Sequence, residues 1–360
     1  MGKYSLENYE IYKTKKIRPD LLKTAPDNWG RGKINYVTCS WALLEPYRGD
    51  YRLDFLDEIS KTFNPVLMIR PDLPNWMTEN PEECFSVFIR RMGSYVMMNH
   101  IPLTGVVITT ISNSTGEWNG YVDGFKSTTL FADLDSYELI QFLRDKNQSF
   151  GIRISCREGN WIECCEDLAV QSLQNHWETN PVLLHVLDES CGPHVKRQSL
   201  QWHAAFSNRE LDLGFSIALR RLTYPEEVSG GGALPIRFWF VNSGSSPCYH
   251  KLSIQLKLSQ EDNTFVISLL NSPSHWHVGD IIHNEMVQLK GLSAGIYSLS
   301  VGVFYDDVPV YMGMNQRNEN GFYTMGEIKV DQKNGDSLKN VWDHYYPEGY
   351  YPLEDPGSPE

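Results

Sequence analysis

The sequence has no long apolar run, no concentrated basic segment and no regular cysteine spacing. No run approaches the roughly 20 apolar residues that a membrane-spanning helix needs, and residues 1–7 lack the apolar core of a signal peptide. Lys and Arg number 32 against 45 Asp and Glu, a net charge of −13, which argues against a nucleic-acid partner. We therefore expect a cytoplasmic protein with a neutral ligand and with neither a nucleic-acid nor a membrane partner.

The seven cysteines are odd in number and scattered, which fits reduced core thiols better than a disulfide framework. The neighbours Cys164 and Cys165 have no second Cys or His pair at metal-ligand spacing. The sequence therefore predicts no metal site and no other cofactor.

At 360 residues with 41% hydrophobic and 12% aromatic residues, the chain has the size and core material for two domains. Up to about residue 205, apolar runs alternate with amphipathic stretches, a pattern typical of parallel strands joined by helices. The predicted strands are Ile34–Ser40, Pro65–Arg70, Thr104–Ile111, Phe150–Ser155 and Pro181–Leu187. The predicted helices are Leu53–Phe63, Pro81–Asn99, Leu134–Lys146 and Cys164–His176.

From about Leu213 the pattern changes to strands separated by Gly, Pro, Ser and Asn clusters, which indicates an antiparallel β-sandwich. The predicted strands are Phe215–Leu222, Leu234–Val241, Lys251–Leu258, Phe265–Leu270, Met286–Leu289, Gly295–Tyr305 and Tyr323–Val330. We therefore predict three parts: an α/β domain at 1–210, a β-sandwich at 211–332 and an extended tail at 333–360.

A carboxylate beside an indole follows one of the predicted strands. The strand ending at Ile111 leads to Glu117, Trp118 and Asn119. In a parallel α/β fold the reactive side chains lie at the carboxyl ends of strands, and a neighbouring indole can desolvate a carboxyl and keep it protonated. Glu117 is therefore a candidate general acid, and the alternative is a loop glutamate beside a buried tryptophan.

A second predicted strand ends in two adjacent acids, Asp188 and Glu189. Successive strand residues point to opposite faces, so only one of the two can face Glu117. Two carboxyl groups roughly 5 to 5.5 Å apart would serve a retaining glycosidase. The alternative is a solvated strand end or a helix cap.

Further residue types that suit a sugar lie at two other places. Arg70 ends the second predicted strand, Asp72 and Trp76 follow it, and His203 lies in the segment that closes the α/β half. An arginine can orient a carboxylate, and a tryptophan can stack on a pyranose face. Packing roles are the alternative for each of them.

The segment from Ser40 to Asp57 resembles the "W..LEP..G.Y.....D" segment of clan A glycoside hydrolases, particularly their β-galactosidase-like branch. The wider chain is similar to a largely uncharacterised bacterial family that joins such a barrel to a β-sandwich of unknown function. The segments that carry this similarity are Gly116–Trp118, Gln201–Asn208, Asn242–Pro247 and Asn320–Ile328. The resemblance implies an N-terminal (β/α)8 TIM barrel, complete or reduced, and a sugar site that includes Trp41.

The leading hypothesis is a retaining β-glycosidase, with Glu117 as acid/base, Glu189 as nucleophile and galactosides as first substrates to try. Arg70, Asp72, Trp76, Trp118, Asn119, His203 and Trp41 would bind the substrate. Gly116 replaces the usual Asn before Glu117, and the barrel segment is short. These departures support the alternative, a non-catalytic carbohydrate-binding or assembly protein on a degenerate barrel. Other chemistry at the same face, such as a lyase reaction, is a third hypothesis. The sandwich could also mediate a homo-oligomer.

Overall fold

The computed structural model describes residues 14–21, 32–59, 61–261, 263–273 and 276–331. The chain divides into two compact units. The α/β unit comprises residues 30–215 and 244–249, and the β unit comprises residues 1–29, 216–243 and 250–360. The domain boundaries predicted after residues 210 and 332 stay predictions, and the predicted tail at 333–360 lies outside the described residues.

Elements are numbered along the whole chain, so β1 (Thr14–Ile17) belongs to the β unit. The strands of the α/β unit are β2 (Asn35–Ser40), β3 (Pro65–Arg70), β4 (Gly105–Val107), β5 (Leu130–Asp133), β6 (Gly151–Cys156), β7 (Val182–Val186) and β8 (Phe206–Ser207). Its helices are α1 (Trp41–Leu44), α2 (Phe55–Ile59), α3 (Pro81–Met98), α4 (Thr115–Gly124), α5 (Tyr137–Asp145), α6 (Trp161–Val170) and α7 (Pro193–Gln201). Among the described residues, no helix is both long enough and apolar enough to span a bilayer.

The seven strands of the α/β unit form one parallel sheet in chain order, from β2 to β8. The sheet curls strongly, as hydrogen bonds between the residues just before β2 and strand β8 show. Ile34 N donates to Ser207 O at 2.8 Å, and Ser207 N donates to Gly32 O at 2.6 Å. The curled sheet therefore has an outer face and an inner face.

The outer face packs against the helices in a large apolar core, whereas the inner face carries a small cluster of its own. That inner cluster contains Ile34, Val66, Val107, Phe131 and Leu183. Side chains alternate between the faces of a strand, so residues two positions further along also face inward, nearer the carboxyl ends. This alternation sets the position of the polar residues described below.

The predicted fold class is wrong. An eight-stranded (β/α)8 barrel is contradicted by a sheet of seven strands in the described residues. Helix formation is also reduced, because α1 and α2 between β2 and β3 have only four and five residues. The last strand, β8, has only two residues, and the chain then leaves for the β unit.

The strands β5 and β8 and the helices α1, α4 and α7 of the α/β unit are absent from the predicted set. The short apolar strand β5 precedes the predicted helix at Leu134–Lys146, and four residues give too short a pattern to recognise. Helix α4 includes Glu117, which we expected in a loop after a strand. Its three glycines and weak amphipathic pattern make it hard to recognise in the sequence.

The β unit also differs from the predicted sandwich. Its further strands are β9 (Ile217–Pro225), β10 (Glu227–Ser229), β11 (Ala233–Asn242), β12 (Ser253–Gln260), β13 (Asn263–Ser268), β14 (Gly279–Gln288), β15 (Gly295–Tyr305), β16 (Val308–Val310), β17 (Asn318–Glu319) and β18 (Phe322–Asp331). One sheet has the order β1-β9-β11-β14, and the other has the order β10-β18-β15-β12-β13, with β16 and β17 attached to β15 and β18. The second sheet is mixed, because β10 pairs with β18 in parallel, so a purely antiparallel sandwich is wrong.

Helices α3 and α4 cross at glycines. A Cβ atom built on Gly93 would lie 2.2 Å from Gly124 O, and one built on Gly120 would lie 2.8 Å from Ser86 Oγ. Ser86 Oγ also donates a hydrogen bond to Gly116 O at 2.8 Å. The two backbones therefore approach more closely than any residue with a side chain would allow.

The Gly93→Ala variant should lose about 2 kcal/mol of unfolding free energy, because the added methyl group overpacks this contact. Urea unfolding followed by circular dichroism measures the change. Gly116→Ala is the matched control on α4, since the nearest atom to its Cβ is 3.8 Å away. Equal unfolding midpoints for the two variants would contradict the close crossing.

Candidate functional site

Five inward-facing residues near the carboxyl ends of the parallel strands form what we call the inner polar layer. They are Tyr36, Met68, Asp133, Arg153 and His185. Tyr36, Met68, Asp133 and His185 each lie two residues beyond a member of the apolar inner cluster, and Arg153 lies two residues beyond Gly151 on β6. Asp133 and Arg153 are direct partners in the pairing of β5 with β6.

The inner polar layer contains a bidentate ion pair between Arg153 and Asp133. Arg153 Nε donates to one carboxylate oxygen and Nη2 donates to the other at 2.7 Å. The side chains are only 13% and 24% exposed. Burial lowers the pKa of Arg153, but the hydrogen bond and charge of Asp133 outweigh it, so the net shift is upward. The pair therefore brings two charged groups to the inner face with no net charge.

Tyr36 and His185 lie beside this ion pair. Their rings meet edge to face, with centroids 5.2 Å apart. Burial raises the pKa of Tyr36 to about 12, and the neighbouring Arg153 opposes the shift. Burial, followed by the charge of Arg153, lowers the pKa of His185. Both side chains are therefore neutral near pH 7 (reference His pKa ~6.5).

Polar atoms of this region are buried without a hydrogen-bond partner in the described residues. They are Tyr36 Oη, His185 Nδ1 and Arg209 Nε. The rest of Arg209 is anchored, because its Nη2 donates to Asp188 O at 2.8 Å. A buried polar atom left unpaired costs about 1 to 3 kcal/mol. Such atoms indicate a place where a ligand or water supplies the missing hydrogen bonds.

Glu117 lies at the third position of α4 and is completely buried. It accepts five hydrogen bonds, from Ile111 N at 2.6 Å and from the backbone N and side-chain Oγ of both Ser112 and Ser114 at 3.1 to 3.2 Å. Ser114 Oγ accepts the Glu117 N–H in return, which completes a capping box. The carboxylate therefore organises the loop after β4 and the start of α4.

The other two residues predicted beside Glu117 also lie on α4. Trp118 is 5% exposed and packs against Phe142, with ring centroids 5.1 Å apart. Asn119 Nδ2 donates to Thr115 O at 2.7 Å, one helical turn earlier. Neither belongs to the inner polar layer.

The acids after β7 have different surroundings. Asp188 Oδ2 accepts a hydrogen bond from Glu158 N at 3.1 Å, whereas Glu189 is exposed. Among the described residues, no hydrogen bond joins Glu117 to either of them. Asp188 thus helps to hold the loop after β6, and Glu189 stays open to solvent.

Arg70 and Asp72 form an ion pair at 3.4 Å with side chains 58% and 50% exposed. An exposed pair of this kind contributes little to stability. It leaves both side chains accessible at the end of β3.

The resemblance segment is built around Glu45, which is buried. Glu45 Oε2 accepts from Trp41 Nε1 at 2.8 Å, and Oε1 accepts from Gly49 N at 2.8 Å. Trp76 Nε1 donates to Glu45 O at 2.7 Å. Trp41 itself is fully buried. These contacts explain the "LEP..G" pattern as a local scaffold around one carboxylate.

A cavity of about 660 Å³ lies next to this scaffold. Tyr51 and Trp76 form part of its wall, together with the charged residues Arg48 and Glu83. Trp76 is the only predicted site residue that lines it. The cavity thus offers aromatic surface and charge at the loop after β3.

His203 makes contacts within the α/β unit. Its Nδ1 lies 2.8 Å from Ser245 O, and its ring stacks on Trp177 with centroids 3.6 Å apart. These contacts hold the segment 244–249 against the rest of the α/β unit. In the described residues, no three His, Cys, Asp or Glu side chains are grouped to hold a metal ion.

No sequence pattern indicates the inner polar layer. Tyr36, Arg153 and His185 lie inside predicted strands, but without knowing which strand face turns inward they resemble ordinary strand residues. Asp133 lies on the strand that the sequence pattern does not show. Every second residue of a strand faces the same side of the sheet. Counting back in steps of two from the polar strand ends is therefore the signal that could identify these residues as one group.

Acidification should destabilise the protein through His185. The folded state holds a proton on this imidazole less readily than the unfolded chain, whose pKa is 6.5. The free energy of unfolding should therefore fall as the pH drops below that value, and level off below the folded pKa. Urea unfolding across this range should show a shallower pH slope for His185→Phe than for the wild type. Identical slopes would contradict the burial of a neutral imidazole. Burial also lowers the pKa values of His176 and His250. These two histidines contribute equally to the pH dependence of the wild type and of His185→Phe.

No family model matches the sequence, and the search of curated proteins finds no match. Solved structures similar to parts of the chain include a β-glucosidase from Listeria innocua in complex with glucose, at 11% identity and a TM-score of 0.22. That match covers 90% of this chain and 49% of the other, so this chain spans about half the length of the β-glucosidase.

A CARDB domain from Pyrococcus furiosus matches at 12% identity and a TM-score of 0.20, over 32% of this chain and 87% of that one. A Pseudomonas fluorescens alkylpurine DNA glycosylase bound to abasic-site DNA matches at 11% identity and a TM-score of 0.21. It covers 72% of this chain and 56% of that chain. At these TM-scores the likenesses carry no argument about fold or function.

Proposed function

We propose that this chain binds a carbohydrate at the inner polar layer. The observation that carries the proposal is the pair of buried, unpartnered atoms, Tyr36 Oη and His185 Nδ1, beside the Arg153–Asp133 ion pair. The phenol of Tyr36 can donate or accept a hydrogen bond, and a neutral imidazole nitrogen donates or accepts one depending on the tautomer. A sugar hydroxyl can donate one hydrogen bond and accept another, so a single hydroxyl can satisfy both Tyr36 Oη and His185 Nδ1.

Charge favours a neutral ligand over an anion. Asp133 neutralises Arg153, and the lowered pKa keeps His185 uncharged. The edge-to-face rings of Tyr36 and His185 add apolar surface for the carbon face of a sugar. A phosphate or carboxylate would meet no unpaired positive charge at the centre of the layer.

Binding without hydrolysis is the form of this function that the geometry supports best. A general acid must reach the glycosidic oxygen, and the five hydrogen bonds to Glu117 occupy its carboxylate inside the protein. The proposal therefore follows the non-catalytic alternative, with Glu117 as a structural residue.

Hydrolysis by a retaining β-glycosidase is the second candidate function. It is favoured by carboxylates at two strand ends of one sheet, Asp133 as the last residue of β5 and the exposed Glu189 after β7. Galactosides remain the first substrates to try. Arg70, Asp72 and Trp76 would then contact the substrate from the end of β3 and the loop after it.

Self-association through the β unit likewise remains a prediction, which sedimentation velocity can test.

Isothermal titration calorimetry with galactose, glucose and their β-linked disaccharides tests the proposal, with release of nitrophenol from aryl glycosides measured in parallel. Saturable binding that Tyr36→Phe and His185→Phe weaken, without turnover, is the expected result. Turnover that is lost in Glu189→Gln would instead establish the second candidate. Binding unaffected by both inner-layer variants would place the ligand elsewhere and refute the proposal.

A further inference from the structure

The cavity of about 660 Å³ is separate from the proposed carbohydrate site, because none of the residues of the inner polar layer lines it. Its lining comes from the turn after α1, the loop after β3 and the first turns of α3. The volume lies within the range of about 300 to 1,000 Å³ that is typical of pockets for small molecules. The cavity is therefore large enough for a ligand of its own.

The wall of this cavity contains a buried carboxylate, that of Glu45, which is 3% exposed. Its two oxygens accept hydrogen bonds from Trp41 Nε1 and from Gly49 N. Both donors are N–H groups, which suits an ionised carboxylate because it can only accept. Within the described residues, Glu45 takes part in no ion pair. A buried charge without a counter-ion is unfavourable, so this carboxylate indicates that the cavity receives a positive charge.

The other charges of the lining also favour a cation. Glu79 and Glu83 are exposed at the cavity, as is Arg48. Three carboxylates and one guanidinium give the described lining two net negative charges. In the part of the chain that the structure describes, no ion pair involves any of these three exposed residues. The lining therefore attracts a cation and repels an anion.

Two half-buried aromatic rings complete the wall, those of Tyr51 and Trp76. Trp76 Nε1 donates to Glu45 O at 2.7 Å, and the Trp41 ring meets the Trp76 indole at 89° with centroids 6.1 Å apart. Tyr51 packs against Phe88 with centroids 6.2 Å apart. These contacts hold both rings in place at the cavity. The face of an aromatic ring attracts a cation, and tryptophan does so most strongly.

We propose that this cavity binds an organic ammonium ion, with Glu45 as its counter-ion and Tyr51 and Trp76 as aromatic walls. Met77 and Val87 add apolar surface for the carbon body of the ligand. A divalent metal ion would need several oxygen or nitrogen ligands at short distance. Among the described residues, no three His, Cys, Asp or Glu side chains are grouped in that way. The inference does not depend on the proposed carbohydrate site.

Isothermal titration calorimetry of the full-length protein with two matched pairs of probes tests the inference. The first pair is choline and its uncharged isostere dimethylbutanol, and the second is cadaverine and pentanediol. We expect saturable binding of choline or cadaverine, and binding of the matching alcohol that is at least about tenfold weaker. The tighter of the two ammonium probes identifies a quaternary or a primary ammonium ligand. Equal affinity for an ammonium probe and its alcohol, or no saturable binding of either ammonium probe, would overturn the inference.

Substitutions in the lining then locate the bound probe. Trp76→Leu should weaken ammonium binding about tenfold, because the ring that faces the cation is lost. Glu83 lines the cavity and its neighbour Glu82 does not, so Glu83→Gln should weaken binding and Glu82→Gln should leave it unchanged. Arg48→Gln should strengthen binding, because a like charge is removed. Unchanged affinity in Trp76→Leu, or equal effects of the two glutamate variants, would place the probe elsewhere and refute the proposal.

Glu45→Gln tests the counter-ion directly. We expect ammonium affinity to fall at least about tenfold in a variant that keeps the circular dichroism spectrum of the wild type. Wild-type affinity in the folded variant would contradict the proposal. An amide cannot accept from both Trp41 Nε1 and Gly49 N through its two ends. If this prevents folding, the comparison of each ammonium probe with its alcohol in the wild type still tests the charge.

Discussion

Replacing Glu117 by alanine should lower the free energy of unfolding by about 4 kcal/mol, because the loss leaves buried donors without an acceptor. The backbone N–H groups of Ile111, Ser112 and Ser114 all lose their partner in this variant. Glu117→Gln should lose nearly as much, since its amide NH2 cannot accept from the donors that surround it. Urea unfolding followed by tryptophan fluorescence measures both changes.

The control for this prediction is Asn119→Ala, on the same helix and half a turn away. Asn119 makes one exposed hydrogen bond to Thr115 O, so its loss should change stability by less than about 0.5 kcal/mol. If Glu117→Gln unfolded at the same urea concentration as the wild type, the carboxylate would not be structural. The acid/base hypothesis would then regain its main candidate.

Tyr36→Phe should separate binding from stability. The variant removes only a hydroxyl that is buried without a partner, so stability should stay constant or rise by about 1 kcal/mol. Carbohydrate affinity should fall about tenfold, because the ligand loses a hydrogen bond worth about 1.4 kcal/mol. Calorimetry and urea unfolding on the same preparation measure both quantities.

Tyr121→Phe is the matched control, because its hydroxyl is also buried but has partners. Tyr121 Oη lies 3.0 Å from Thr109 Oγ1 and accepts from Thr109 N at 3.4 Å. This variant should lose stability and keep the affinity of the wild type. The assignment of Tyr36 to the ligand site fails if Tyr36→Phe is destabilised as much as Tyr121→Phe and binds as the wild type does.

Sequence patterns located most strands of the α/β unit because their apolar runs are long enough to recognise. They failed at β5 and β8, which have four and two residues. Their identity depends on neighbours that are distant in sequence, which a local pattern does not contain.

The inner polar layer is absent from the sequence prediction for a different reason. An acid beside an indole made Glu117 and Trp118 candidates, yet both side chains are buried on helix α4. The residues of the inner polar layer lie in the middle of strands, where polar residues are usually attributed to the solvent face. Which face turns inward depends on how the sheet curls, and this is a property of all seven strands together.

The pairing of β1 with β9 has a consequence for the order of folding during synthesis. Thr14 pairs with Pro225 and Ile17 with Leu222, so β1 leaves the ribosome long before its partner. The whole strand series from β2 to β8 is synthesised between them. The curled sheet closes on itself through Gly32, Ile34 and Ser207, so its strands are complete before β9 emerges. The curled sheet can therefore form first, whereas residues 244–249, which complete the α/β unit, and the strands that join β1 in its sheet are synthesised later.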